Sequence, residues 1–152
     1  LMIARTPHQQ PASCVLTKVL QALDHAWHDR FARAGRPLRI SDVADVPRVA
    51  GSGAVLRHAL DVLVDNALVH GAGETRIEHS VGATTVTISL TDSGPGFGGQ
   101  AAREPQPAAP HNFGLPLARR LIATMPGRLE IVQRGPHPQI DVTLTLAGDA
   151  DP

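Results

Sequence analysis

Between Thr85 and Thr91 the chain alternates without a break, Val86, Ile88 and Leu90 against Thr85, Thr87, Ser89 and Thr91, and the run ends on Asp92. Side chains of a strand point to opposite faces in turn, so this pattern predicts a strand with one buried and one solvated face. Such a strand belongs in a sheet covered on one side only, which favours antiparallel pairing and helices packed on a single face. Ile140, Val142, Leu144 and Leu146 repeat the alternation against Asp141, Thr143 and Thr145. Together with Leu129 to Gln133 they predict a hairpin around Gly135-Pro136-His137-Pro138. Thr75 to Val81 reads as a further strand, and Pro37 to Ile40 and Arg48 to Ala50 as two short ones around a Pro47 turn.

Three stretches carry the helical period instead. Leu16, Leu20, Leu23, Trp27 and Phe31 form an apolar stripe that stops before Gly35. A second helix opens after Ser52-Gly53, with Leu56, Leu60, Leu63 and Ala67 as its stripe and Gly71 as its stop. Leu117, Leu121, Ile122 and Met125 mark a third, ended by Pro126-Gly127. The fold class is therefore α+β: a two-layer sandwich of a mixed, mostly antiparallel sheet with three helices on one face. With 152 residues the chain fits one domain. Residues 1–13 read as a tail or linker remnant, 14–147 as the domain and 148–152 as a C-terminal tail. Residues 93–112, dominated by Gly, Pro, Ala and Gln, read as a mobile loop.

Composition excludes several classes of function. Lys+Arg and Asp+Glu are both 14 and aromatic residues make 3%, which is neither the charge nor the stacking surface of a nucleic-acid binder. No apolar run approaches the ~20 residues of a membrane span and no secretory leader opens the chain, so membrane contact is not expected and a cytoplasmic location is. The single cysteine, Cys14, excludes an internal disulfide and a multi-cysteine zinc cluster. The histidines are scattered along the chain and read as surface or core-edge residues.

Chemistry concentrates in three places. Asn66, in Asp65-Asn66-Ala67, falls at the edge of the buried helix face set by Ala59, Val62 and Leu63. It is either a core-edge amide bonded to backbone or an oxygen ligand for Mg²⁺. Asp92-Ser93-Gly94-Pro95-Gly96-Phe97 is either a plain Asp-Ser-Gly turn or a ligand site. In the second case the glycines admit a flat ligand and the carboxylate accepts from an exocyclic amine such as that of adenine. Its place at a strand end before a long loop favours the site. Asn112-Phe113-Gly114-Leu115-Pro116-Leu117 leads into the third helix, as an ordinary helix start or as an anion-binding one.

In this order and separation the three resemble the N, G1 and G2 boxes of the Bergerat-fold (GHKL) ATP-binding domain, most closely that of sensor histidine kinases, over residues 14–147. The resemblance implies ATP held between the second and third helices under a lid formed by residues 98–112. It makes Asn66 the catalytic Mg²⁺ ligand, Asp92 the adenine reader, and Gly94, Gly96 and Phe97 the adenine-side wall. His70 matches an aromatic or His slot beside the nucleotide, and Gly114 with Leu115 forms part of the phosphate cradle. It further implies a phosphoacceptor histidine domain, in cis or on a separate polypeptide, and a downstream response regulator.

The departures from the family pattern bear on mechanism. Family members that hydrolyse ATP, and the related anti-sigma serine kinases, carry a glutamate where this chain has Val62, and histidine kinases typically carry an asparagine there, so the chain lacks that residue too; valine cannot accept a proton from water. The serine-kinase alternative is disfavoured for that reason. The usual lysine is replaced by Val69, and the three G2 glycines become Asn112, Gly114 and Pro116. Pro116 removes an amide donor from the cradle. Arg103, Arg119 or Arg120 are candidates to supply the missing charge, with Arg119 taken as an ATP contact; each otherwise reads as a surface or helix-end charge. His28-Asp29 begins a phosphoacceptor pattern, but Arg33 stands where its proline belongs. Two readings follow: a histidine-kinase catalytic domain, or a degenerate, non-catalytic docking or regulatory module.

Overall fold

The computed structural model describes residues 12–41, 47–94 and 114–148. Its elements run β1 (Ser13–Cys14), α1 (Leu16–Arg33), β2 (Leu38–Ile40), β3 (Val49–Ala50), α2 (Gly53–His70), β4 (Thr75–Val81), β5 (Thr85–Asp92), α3 (Gly114–Ala123), β6 (Gly127–Gln133) and β7 (Gln139–Thr145). Five strands form one sheet in the order β2-β4-β5-β7-β6. β2 lies parallel to β4 and every other pairing is antiparallel. The mixed, mostly antiparallel sheet expected from the alternation is present, with α1, α2 and α3 supplying the second layer.

The alternating residues do what their period requires. Val86, Ile88 and Leu90 of β5 are buried, as are Ile140, Val142 and Leu144 of β7, while the threonines between them are partly or fully exposed. On the outer face Ser89 pairs with Asp141 across the ladder, and its hydroxyl donates to Asp141 Oδ1 at 2.8 Å. Glu74, Arg76, Glu78 and Arg39 form a surface ion-pair ladder on the neighbouring strands. The side-chain bonds from Arg76 and Arg39 hold the Glu74 carboxyl below the usual glutamate value.

α1 buries Leu16, Leu20, Leu23, Trp27 and Phe31 as expected, and Val19 with them. Its end is a two-bond turn in which Gly35 N–H reaches Ala32 O at 3.0 Å and Arg36 N–H reaches Phe31 O at 2.9 Å. That turn needs left-handed backbone at Gly35, whose φ is +70°, a conformation glycine adopts without a Cβ clash. It sends Arg36 back towards α2. α2 starts at a capped end, where the Ser52 hydroxyl accepts from Val55 N–H at 3.3 Å. The two helices are tied by Trp27 Nε1, which donates to Asp61 Oδ1 at 2.8 Å, an atom that also accepts from Arg57.

The structure adds detail to the reading in three places. Val49 and Ala50 pair with Cys14 and Ser13 in a separate two-stranded sheet, which meets the main sheet through an antiparallel bridge from Val49 to Leu146. Within the segment read as a tail or linker remnant, Ser13 is a strand residue and Ala12 O accepts from Gly51 N–H. The inner stripe of α3 is Leu115, Ala118 and Ile122, continued by Met125, rather than one built on Leu117, which is 40% exposed. The small Ala118 lets α3 lie close against α2, so the helix turns its large Leu117 outward. The loop expected at 93–112 falls, beyond Gly94, outside the described residues.

Phe31, on the inner face of α1, is fully buried. Phe31→Ala is expected to lower unfolding free energy by about 3–5 kcal/mol, measured by denaturant titration. Burial pushes the Cys14 thiol above its ordinary pKa, against a smaller downward pull from Arg48. Because the thiolate is the reactive form, labelling of Cys14 at neutral pH should be slow in the folded chain and fast once denaturant unfolds it.

Candidate functional site

The alternation that makes β5 a half-buried strand continues one step past Leu90 and carries Asp92 to the buried face. Its side chain is 4% exposed. A carboxylate in that position requires partners. Oδ1 accepts from Gly94 N–H. Oδ2 lies 3.5 Å from Nη2 of Arg36, itself only 11% exposed. The backbone is held as well: Asp92 N–H donates to Pro138 O at 3.3 Å, and His137 N–H donates to Gly94 O at 3.0 Å. The turn between β6 and β7 therefore braces the first residues of the Asp-Ser-Gly segment.

Asp92 opens onto a cleft of about 410 Å³, counting the space continuous with solvent, lined also by Asn66, His70, Gly71, Pro138 and the apolar Leu63, Ala67, Leu90 and Ile140. α2 supplies one wall and the ends of β5 and β7 the other. Asn66 is half-buried on the cleft side, one residue beyond the exposed Asp65. Its carboxamide makes no hydrogen bond among the described residues. The first residue of α3 abuts it: a Cβ on Gly114 would stand 3.5 Å from Asn66 Oδ1 and 3.5 Å from Val62 Cγ1. The helix N-terminus and the amide oxygen therefore meet at one end of the cleft, with Val62 beside them.

The two principal residues of the sequence reading, Asn66 and Asp92, are brought together with His70, and Gly94 and Gly114 adjoin them. Leu115 packs its side chain on the core. Arg119 and Arg120 are exposed on the solvent side of α3, and neither lines the cleft. Gly96, Phe97, Arg103, Asn112 and the proposed lid at 98–112 lie outside the described residues. Among the described residues no group of three or more His, Cys, Asp or Glu side chains is arranged to hold a metal.

Two residues of the site escaped the sequence reading. Gly71 read only as a helix stop, yet its φ of −84° is open to any residue. What requires glycine is space: a Cβ there would overlap Asp92 Oδ2 and stand 2.5 Å from Ala67 O. Arg36 carried no motif at all; a buried carboxylate's need for a counter-charge was the signal that could have found it. Gly71→Ala is expected to cost about 1–3 kcal/mol of stability by displacing the carboxylate. Gly135→Ala, where a Cβ meets nothing within 4 Å, should stay within about 0.5 kcal/mol of the parent in the same denaturant titration.

Residues 51–148 match the protein family described as histidine kinase-, DNA gyrase B-, and HSP90-like ATPase, close to two thirds of the chain. Among curated proteins none matches in sequence. Among solved structures, the catalytic domain of the histidine kinase ThkA matches with a TM-score of 0.74 at 17% identity, covering 91% of this chain and 97% of that one. The histidine kinase AdeS of Acinetobacter baumannii matches at 0.69 and 18%, covering 91% of this chain and 69% of AdeS. Full-length ShkA in complex with AMPPNP matches at 0.74 and 22%, covering 97% of this chain but 34% of ShkA. The fold is thus that of histidine kinase catalytic domains, and the chain belongs to the histidine kinase-, DNA gyrase B- and HSP90-like ATPase family.

Proposed function

We propose that residues 14–147 are the ATP-binding catalytic domain of a two-component sensor histidine kinase. The domain binds Mg-ATP and donates the γ-phosphate to a histidine on a separate dimerisation and phosphoacceptor domain, from which a response regulator is served. The observation that carries this reading is that Asn66 and Asp92, on different elements, line one cleft. Asp92 accepts from the exocyclic amine of adenine, while Leu63, Leu90, Pro138 and Ile140 offer apolar surface to the ring. The ring lies against Gly94, with Gly96 and Phe97 continuing that wall by resemblance, and His70 at the rim. The triphosphate runs towards the start of α3, where the backbone amides of Gly114 and Leu115 meet its charge.

The donor set fits magnesium. Mg²⁺ favours hard oxygens and is commonly held by one or two protein oxygens together with substrate phosphates and water. Asn66 has its amide oxygen in the cleft with no competing partner among the described residues, and it abuts the helix start that faces phosphate. The metal, when bound, neutralises charge on the phosphates. The chain's own contribution is to hold the nucleotide in place and exclude a hydrolytic base. Val62 stands beside Asn66 and has no atom that takes a proton from water, so futile hydrolysis should be slow. Phosphoryl transfer to an imidazole needs no such base, because positioning and charge neutralisation carry it.

No helix among the described residues is long and apolar enough to cross a membrane. We assign the domain to the cytoplasm, where ATP and an acceptor domain are both available. Calorimetry with a non-hydrolysable ATP analogue should give binding that strengthens with Mg²⁺. Asp92→Ala should weaken it about 10- to 100-fold, the cost of a hydrogen bond to a charged group. Asn66→Ala should abolish the dependence on Mg²⁺. With Mg-ATP and a matched acceptor domain, a histidine should become labelled; no heat of binding in the parent chain would instead favour the docking module.

A further inference from the structure

Arg36 lines no part of the cleft, yet its guanidinium is among the most heavily bonded groups in the structure. Nη1 donates to Ala67 O at 2.7 Å and to Leu68 O at 3.0 Å, Nε to Gly73 O at 2.9 Å and Nη2 to Thr75 Oγ1 at 3.0 Å. These four oxygens are neutral and belong to the end of α2, the turn after it and the start of β4. They set the plane of the guanidinium without help from Asp92. The carboxylate then meets an already oriented cation, with Oδ2 at 3.5 Å from Nη2. That separation is an ion pair rather than a hydrogen bond. The charge of Asp92 is therefore compensated while Oδ2 keeps its lone pairs.

We infer that Arg36 is the positioning residue for base recognition: it holds the Asp92 carboxylate oriented so that its free oxygen accepts from an amino-purine. This rests on the nucleotide reading above. Three constraints locate the carboxylate. Gly94 N–H occupies Oδ1, Gly71 leaves room for Oδ2, and the guanidinium attracts Oδ2 from outside the cleft. Without the third, no other cation among the described residues pairs with the buried carboxylate, and the side chain turns towards water. The same guanidinium grips the carbonyls of Ala67 and Leu68, the two residues after Asn66. One side chain thus ties the α2 wall to the β5 end. Lysine replaces it only in part: it keeps the charge, but a single ammonium has three donors on a point charge and no planar fork.

The chemical consequence is selectivity at one position of the purine. An amine at C6 donates to a fixed carboxylate, whereas an oxo group there presents a second acceptor and is repelled. ATP and inosine triphosphate differ in this group. Their affinities, measured by calorimetry for the parent, Arg36→Met, Asp92→Asn and the double variant, separate positioning from general support of the fold, with circular dichroism as the check on folding. The parent should prefer ATP, and Arg36→Met should lose about tenfold of that preference. In the Asp92→Asn background the same change should move the preference by less than about twofold, because the two residues act as one unit. If Arg36→Met does not fold, Arg36→Lys is read in the same cycle, with a smaller loss of preference expected. A purely structural arginine would lower the melting temperature and leave the ratio of affinities alone. An unchanged ratio in a folded variant, or an equal loss with and without Asp92, overturns the inference. A parent that binds ATP and still gives either result overturns this inference alone, whereas a parent that binds neither nucleotide overturns the nucleotide reading along with it.

Discussion

A carboxylate on the inner face of a strand is the constraint around which this molecule is arranged. β5 has the alternation of an ordinary half-buried strand, and Asp92 takes the inward position that an aliphatic residue holds two and four places earlier. Burying a charge there is unfavourable unless the surroundings are organised for it. The surroundings come from three separate parts of the chain. The turn after α1 delivers Arg36, the end of α2 delivers Gly71, and the β6–β7 turn holds the backbone of Asp92 and Gly94. Each of these is distant in sequence from Asp92, so the pairing exists only in the folded chain.

The same arrangement explains why α2 and β5 face each other across an open cleft rather than a closed core. Leu56, Leu60 and Val64 fill the interior along most of α2. At its C-terminal turn the buried stripe gives way to Asn66 and His70, and the sheet opposite gives way to Asp92. Apolar contact can no longer close the gap there, and the two walls part. α3 then packs its small Ala118 against α2 and sets its first residue beside Asn66. A polar end, an apolar middle and, beside Asn66, a helix start thereby follow one another, an order that under the proposed reading matches a purine nucleotide from base to phosphate.

How much of this could be read without coordinates depends on whether the signal was local. The strands β4, β5 and β7 and the helices α1 and α2 announce themselves by period, because burial of one face is a repeating demand on neighbouring residues. Asn66 and Asp92 were legible as exceptions to that period, polar groups placed where the pattern calls for apolar ones. Arg36 and Gly71 were not, since the reason for each is a contact with Asp92 that no spacing encodes. The stripe of α3 was misread because Ala118, the residue that decides which face goes inward, is small and weighs little in an apolar count. The pairing of Val49 with Cys14 was missed for a related reason: two-residue strands have no period to show.

Val62 gives the last step its direction. In a site built to hydrolyse nucleotide, a group able to accept a proton from water has to stand near the terminal phosphate. The residue that sits one helical turn before Asn66, and against the start of α3, is instead a branched hydrocarbon. It offers water no base. An acceptor that brings its own lone pair, as imidazole does, is not hindered by that loss, because phosphoryl transfer draws on alignment and charge compensation rather than on proton removal by the protein. Under the proposed reading, the same substitution that makes the pocket a poor hydrolase leaves it able to hold ATP unspent until an acceptor docks.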